Sequence, residues 1–295
     1  MAHVLSEELL RKVRQIEVTT RKVVTDVMTG QYRSQFKGHG VQFSEHRVYL
    51  PGDDIRHIDW KASAKGRDTL IKKFEEEREL TVFLVVDLSG SQGFGSSAKL
   101  KAEVSAELAS MLAYAAVHTG DRVGALLFAG EVEEVVPPQK GRMHVLRIVR
   151  KILGFQPKTK GTDLKGALEA ADRVMKHAGV VFVLSDFMAQ GYDAPLKKLA
   201  RRHDVVAIWI GDEREQEVPT SGLFHFVDPE TGQESVVNTG SFAFRRWIKD
   251  YFARFKAETE QRLKSGKIDQ LRISTKEDYA DALVRYFRKR SSRRR

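Results

Sequence analysis

Residues 81–87 read Thr-Val-Phe-Leu-Val-Val-Asp, and no other stretch constrains the fold as much. Val82 to Val86 form an unbroken apolar run that ends at Asp87. Such a run, bounded by a turn signal, reads as a strand buried on both faces, the kind found in parallel sheets covered by helices. The loop that follows, Asp87-Leu88-Ser89-Gly90-Ser91, holds one carboxylate and two hydroxyls. An all-oxygen, weakly charged cluster suits a hard cation such as Mg²⁺ (or Mn²⁺). The carboxyl ends of strands are also where open α/β sheets place their ligands.

From residue 81 the pattern alternates. Strands are predicted at 81–87, 122–128, 132–136, 180–185 and 204–210, and helices at 98–118, 142–153, 163–177 and 194–202. In the first helix Leu100, Val104, Leu108, Met111, Leu112 and Ala115 share one apolar face. Strands alternating with helices imply an α/β fold with a doubly wound, mostly parallel sheet. The 132–136 run follows 122–128 too closely for a helical crossover, so it is expected as an antiparallel edge partner. We divide the chain into 1–80 (an N-terminal helix over 6–27, then a β/loop segment with a strand at Leu70–Phe74), 81–211 (the α/β domain) and 212–295. The last part reads as a hairpin at 223–227 and 235–237, a helix at 241–264, a strand at 271–273 and a final helix capped by Ser274 and Glu277. Phe244, Trp247, Ile248, Tyr251, Phe252 and Phe255 make an aromatic stripe on the 241–264 helix; core packing is favoured over a partner surface.

Composition closes several routes. With no cysteine, disulfides, thiolate metal sites and Cys nucleophiles are excluded. Seven of the ten net positive charges fall in residues 285–295, read as a solvated, frayed tail rather than a nucleic-acid arm. No apolar run is long enough to span a bilayer, and Met1–Arg14 lacks a signal-peptide core, so a cytoplasmic location is expected.

Two further segments complete a candidate site. Gly161-Thr162-Asp163-Leu164 opens the 163–177 helix, and Val180 to Ser185 is a second buried run, leading into Asp186. If the 81–87 and 180–185 strands lie side by side at the switch point of the sheet, Asp87, Ser89, Ser91, Thr162 and Asp186 converge on one ion. Two hydroxyls and a few carboxylates neutralise Mg²⁺ only partly and leave a coordination position open, which draws a carboxylate from outside. The bland alternative is that these residues serve only as caps and turn formers.

Asp87-Leu88-Ser89-Gly90-Ser91 with Thr162 and Asp186 resembles the metal-ion-dependent adhesion site of von Willebrand factor type A domains, over about 81–211. The resemblance implies Ser89 and Ser91 as direct ligands, with Thr162, Asp87 and Asp186 ligating directly or through water. A narrower resemblance spans nearly the whole chain. Arg47 to Arg56, Ile58 to Ser63, Lys73 to Arg78 and Asp228 to Glu234 are similar to a bacterial family, domain-of-unknown-function family 58. Its members are often encoded beside MoxR-type AAA+ ATPases. This resemblance implies a non-catalytic adaptor or assembly factor with such an ATPase as partner. Read as a metal-dependent protein-binding module, the chain is further expected to take a protein ligand that donates an Asp or Glu carboxylate to the metal.

Two other functions compete. A strand-end Asp can act as a nucleophile in a Mg²⁺-dependent phosphohydrolase, but the general acid needed two residues on is replaced by Ser89. No phosphate-binding Gly-x₄-Gly-Lys-Ser/Thr loop, His-Glu-x-x-His or Gly-x-Ser-x-Gly occurs. Nucleic-acid binding through the basic tail lacks an aromatic–basic platform. The Pro51 to Trp60 stretch, with Asp53, Asp54, His57 and Asp59, reads as a turn with Asp caps and a packed Trp60, ahead of a hydrolase site or a partner surface.

Overall fold

The computed structural model describes residues 11, 42–66, 68–75, 79–93, 100–212, 222–227 and 233–293. The 6–27 helix expected from the sequence lies outside them, apart from Arg11. From residue 42 on, the described residues fall into two compact units, one before residue 81 and one from Thr81 onward.

In the smaller unit, strand β1 (Gln42–Val48) pairs antiparallel with β2 (Leu70–Glu75). The expected strand at Leu70–Phe74 is β2; its partner β1 was not read, because Ser44, Glu45, His46 and Arg47 interrupt any apolar alternation. Between the strands, Asp54 caps a 3₁₀ turn (Ile55–His57) and Asp59 caps the short helix α1 (Trp60–Ser63). The Asp caps are as expected, but Trp60 is 70% exposed and is not packed.

The larger unit is built on a six-stranded sheet. Its strands are β3 (Thr81–Asp87), β4 (Arg122–Phe128), β5 (Val132–Gln139), β6 (Val180–Ser185), β7 (Asp204–Gly211) and a late-joining β10 (Asp269–Ser274). The spatial order is β10-β7-β6-β3-β4-β5, parallel throughout except for β5, which runs antiparallel to β4 at the edge. Helices α2 (Lys101–His118), α3 (Arg142–Leu153), α4 (Leu164–Val174) and α5 (Asp193–Arg202) connect the strands. From β3 the chain moves outward to β4 and β5, then returns to place β6 on the other side of β3. The carboxyl ends of β3 and β6 therefore flank the switch point of the sheet.

Burial explains why these strands form. Val82 to Asp87 and Val180 to Ser185 are buried at every position, as unbroken apolar runs require. Each such Val, Leu or Phe contributes about 1.5–3 kcal/mol over its exposed state. Helix α2 is buried on more than one face, with Ala106, Ala109, Ala113 and Ala116 buried beside the predicted Val104, Leu108, Met111, Leu112 and Ala115. Leu100, counted on that face from the sequence, stands at the helix N-cap and is 42% exposed.

A hairpin of β8 (Leu223–Val227) and β9 (Glu234–Asn238) precedes helix α6 (Phe242–Ser265). The aromatic stripe on α6 splits. Phe255 packs edge-on against Trp209 of β7, and Thr259 and Leu263 beyond it are buried. Trp247 and Tyr251 stack along the helix at 5.7 Å yet stay 54% and 41% exposed, so the core reading fails for the first half of α6. Helix α7 (Tyr279–Arg293) corrects two more expectations. Asp278 caps it, accepting from the Ala280 and Asp281 amides, in place of Ser274. The basic end is not frayed over this span: Phe287 is fully buried, and the buried Arg290 reaches Asp204 of β7 at 2.5 Å and Asp269 of β10 at 2.9 Å. Among the described residues, no helix is long and apolar enough to cross a membrane.

Candidate metal centre

The site begins with strand register. Val86 of β3 pairs with Leu184 of β6, which brings Asp87 level with Ser185. The Ser185 hydroxyl donates to Asp87 Oδ2 at 2.6 Å. The other carboxylate oxygen, Oδ1, accepts from the Ser89 amide at 3.0 Å and the Ser89 hydroxyl at 2.6 Å. Ser89 Oγ lies 3.2 Å from Ser91 Oγ, and Ser91 Oγ donates to Asp186 Oδ2 at 2.9 Å. Asp87, Ser89, Ser91 and Asp186, each expected from the sequence, are thus brought together as two hydroxyl–carboxylate pairs lying side by side. Asp87 and Asp186 are 0% and 2% exposed. Burial, with the Asp186 charge adding to it, pushes the Asp87 carboxyl up to about 7 against its serine hydrogen bonds.

Asp186 is aimed by an unusual backbone. Phe187, immediately after it, has φ 60°, a left-handed conformation costly for a bulky residue. Its ring is fully buried and lies against Tyr192 and Trp209 at 5.9 and 6.5 Å, which holds the residue there. The Phe187 amide donates to Ser185 Oγ and the Met188 amide to Asp186 Oδ1, so the turn folds back on both site residues. Asp186 Oδ2 accepts a second bond, 2.8 Å from the Lys101 ammonium. Lys101 is 0% exposed and is the first residue of α2.

Thr162 is placed differently. It is half-buried in the loop entering α4, after Gly161, whose φ of 92° calls for glycine. Asp163 caps α4 through the Gly166 amide, and its own amide donates to the Ala129 carbonyl at the end of β4. Glu133 of β5 holds the approach to this loop, accepting from the Lys158 and Thr159 amides and from the Thr159 hydroxyl. A Cβ on Gly130 would stand 2.0 Å from the Lys160 carbonyl oxygen, so this close approach needs glycine too. The hydrogen bonds that join the other four residues do not include Thr162.

The residues fit a hard divalent ion in their chemistry. Adjacent oxygens of a Mg²⁺ octahedron lie about 3 Å apart when each sits at about 2.1 Å, and the two serine oxygens are separated by 3.2 Å. Each hydroxyl already hands its proton to a carboxylate, which leaves an oxygen lone pair for a cation. Among the described residues, no cluster of three or more His, Asp or Glu side chains could hold a metal. Hydroxyls and two carboxylates make up this donor set. Sequence reading missed Ser185, Phe187, Glu133 and Lys101. Ser185 was visible only as the last residue of a strand, and a lysine ten residues after Ser91 carries no local signal of burial.

Fold and site together define an α/β protein with a serine–carboxylate cluster at the switch point of a doubly wound sheet. The chain belongs to the family described as "Protein of unknown function DUF58", which it matches over residues 45–260. Uncharacterized proteins of Mycobacterium bovis and Mycobacterium tuberculosis are 30% identical to it over 98% of this chain and 90% of their own length. Similar solved structures include the conserved hypothetical protein BatB of Bacteroides thetaiotaomicron (16% identity, 72% of this chain and 99% of that one, TM-score 0.45). The SpRpn10 VWA domain is another (12% identity, 70% and 93%, TM-score 0.39).

Proposed function

We propose that this protein is a metal-dependent protein-binding module that works as an adaptor or assembly factor with a MoxR-type AAA+ ATPase and has no catalysis of its own. The observation that carries the reading is the pair of serine hydroxyls at 3.2 Å, flanked by Asp87 and Asp186 at the mouth of the switch point. Ser89 and Ser91 would bind Mg²⁺ or Mn²⁺ directly. Asp87 and Asp186 would orient the hydroxyls and balance the charge, and Thr162 would close the site from the α4 loop. A bound ion supplies an open, positively charged coordination position for an Asp or Glu of a partner. A phosphohydrolase is disfavoured because Ser89 stands where the general acid is needed.

The test is retention of native partners on the tagged full-length protein in Mg²⁺ and in EDTA, with Asp87→Ala alongside. The reading expects an AAA+ ATPase held only with Mg²⁺ and only by the unaltered protein. Equal retention in all three conditions overturns it. Metal-dependent hydrolysis of a phosphoester that Asp87→Ala abolishes would replace it with the enzyme reading.

A further inference from the structure

Lys101 is in an expensive place. It is 0% exposed, so its ammonium has lost its water. It also sits at the first position of α2, where the helix dipole disfavours a positive charge. A lysine tolerated there needs a strong compensating partner, and Asp186 Oδ2 supplies one at 2.8 Å with the carboxylate itself 3% exposed at its side chain. The same oxygen accepts the Ser91 hydroxyl at 2.9 Å. The ammonium therefore shares an acceptor with a hydroxyl that the metal reading assigns to the ion.

We propose that Lys101 is a built-in counter-ion that competes with the divalent cation for the Asp87–Asp186 site, so that metal loading is deliberately weak in the absence of an anionic ligand. This rests on the metal-site reading above and adds its regulation. Charge counting gives the reason. With both carboxylates ionised to receive a cation, they and the one ammonium leave one net negative charge, and the serine hydroxyls add none. A divalent ion turns this into one net positive charge and places two cations around Asp186, where low dielectric makes their repulsion strong. An incoming carboxylate restores neutrality, so the metal and an acidic ligand are bound as a pair.

The test is calorimetric titration of Mn²⁺ alone into the metal-stripped, full-length protein and into Lys101→Met, Lys101→Gln and Lys101→Arg. Thermal melts in Mn²⁺ and EDTA check that each variant folds. Lys101→Gln keeps a polar group for Asp186 and serves if Lys101→Met does not fold. We expect Lys101→Met and Lys101→Gln to bind Mn²⁺ at least tenfold more tightly than the unaltered protein. Lys101→Arg should show no gain, and adding Asp87→Ala to Lys101→Met should abolish the tight site. Equal or weaker binding by the neutral variants overturns the role of Lys101 while leaving the metal site standing. Absence of Mn²⁺ binding in every folded form overturns the metal reading itself, and this inference with it.

Discussion

Two groups of carboxylates in this chain meet opposite fates. In the smaller unit, Asp53 is gripped by both terminal nitrogens of Arg47 at 2.8 and 2.6 Å, Asp54 pairs with Arg56, and Asp59 meets His46 and Lys72 while capping α1. Hydrogen bonds from these partners hold all three below the ordinary carboxylate value, Asp59 to about 2. At the switch point, Asp87 meets hydroxyls and a like charge under full burial, and its pKa moves the other way. Acidic residues crowded in sequence thus became turn formers with cations nearby. Two carboxylates ninety-nine positions apart became a site. The difference is solvation and partner charge, not the number of acids.

The sharpest way to break this contrast is to remove a cation from each group. Lys101→Met leaves a buried carboxylate unpaired and should cost about 3–5 kcal/mol in metal-free urea unfolding. Arg47→Ala should shift the unfolding midpoint far less, because its pair with Asp53 lies at the surface rather than in the core. Comparable losses would mean that the two groups are held by similar forces.

A pH series in EDTA tests the opposite shifts. The native state keeps a proton on Asp87 up to about pH 7, whereas the unfolded chain releases it near 3.8. Stability should therefore fall as pH rises from about 4 to about 7 and then level off, by a few kcal/mol at about 1.4 per pH unit. Asp87→Asn, or saturating Mg²⁺, should flatten this slope. Asp59 acts in the reverse sense: its contribution is present above 3.8 and is lost as pH falls toward 2. A flat profile from 4 to 7 in the unaltered protein would show that Asp87 is ionised throughout.

Smaller effects are expected from the loop that carries Thr162. Gly130→Ala must displace the Lys160 backbone, and Glu133→Ala releases three hydrogen bonds at Lys158 and Thr159. Both should weaken Mn²⁺ binding severalfold in calorimetry, while far-ultraviolet circular dichroism stays that of the unaltered protein. Unchanged affinity would remove Thr162 from the ligand set. Smallest of all, Asp54→Asn should alter neither Mn²⁺ affinity nor its pH dependence; a change in either would move function toward the smaller unit.

Much of the fold was legible along the chain. Strands β3 and β6 announced themselves because burial on both faces demands unbroken apolar runs, and the short β4–β5 connection left room only for an antiparallel edge. Asp87, Ser89, Ser91 and Asp186 were legible for the same reason, since each sits where such a run stops. Charged or mixed segments were harder to read. The polar β1 gave no alternation, and the two halves of the α6 stripe look alike in sequence although only one meets Trp209.

From residue 81 onward the sequence by itself determined the order of strands and helices, the doubly wound class and the residues at two strand ends, because local periodicity and turn chemistry encode them. Only the tertiary structure decided that Ser185 would face Asp87, that Phe187 would be held left-handed, and that Lys101 would be buried against Asp186. Those outcomes depend on register between distant strands and on how a helix settles on a sheet. Their energies are realised only when partners far apart in the chain exclude water together.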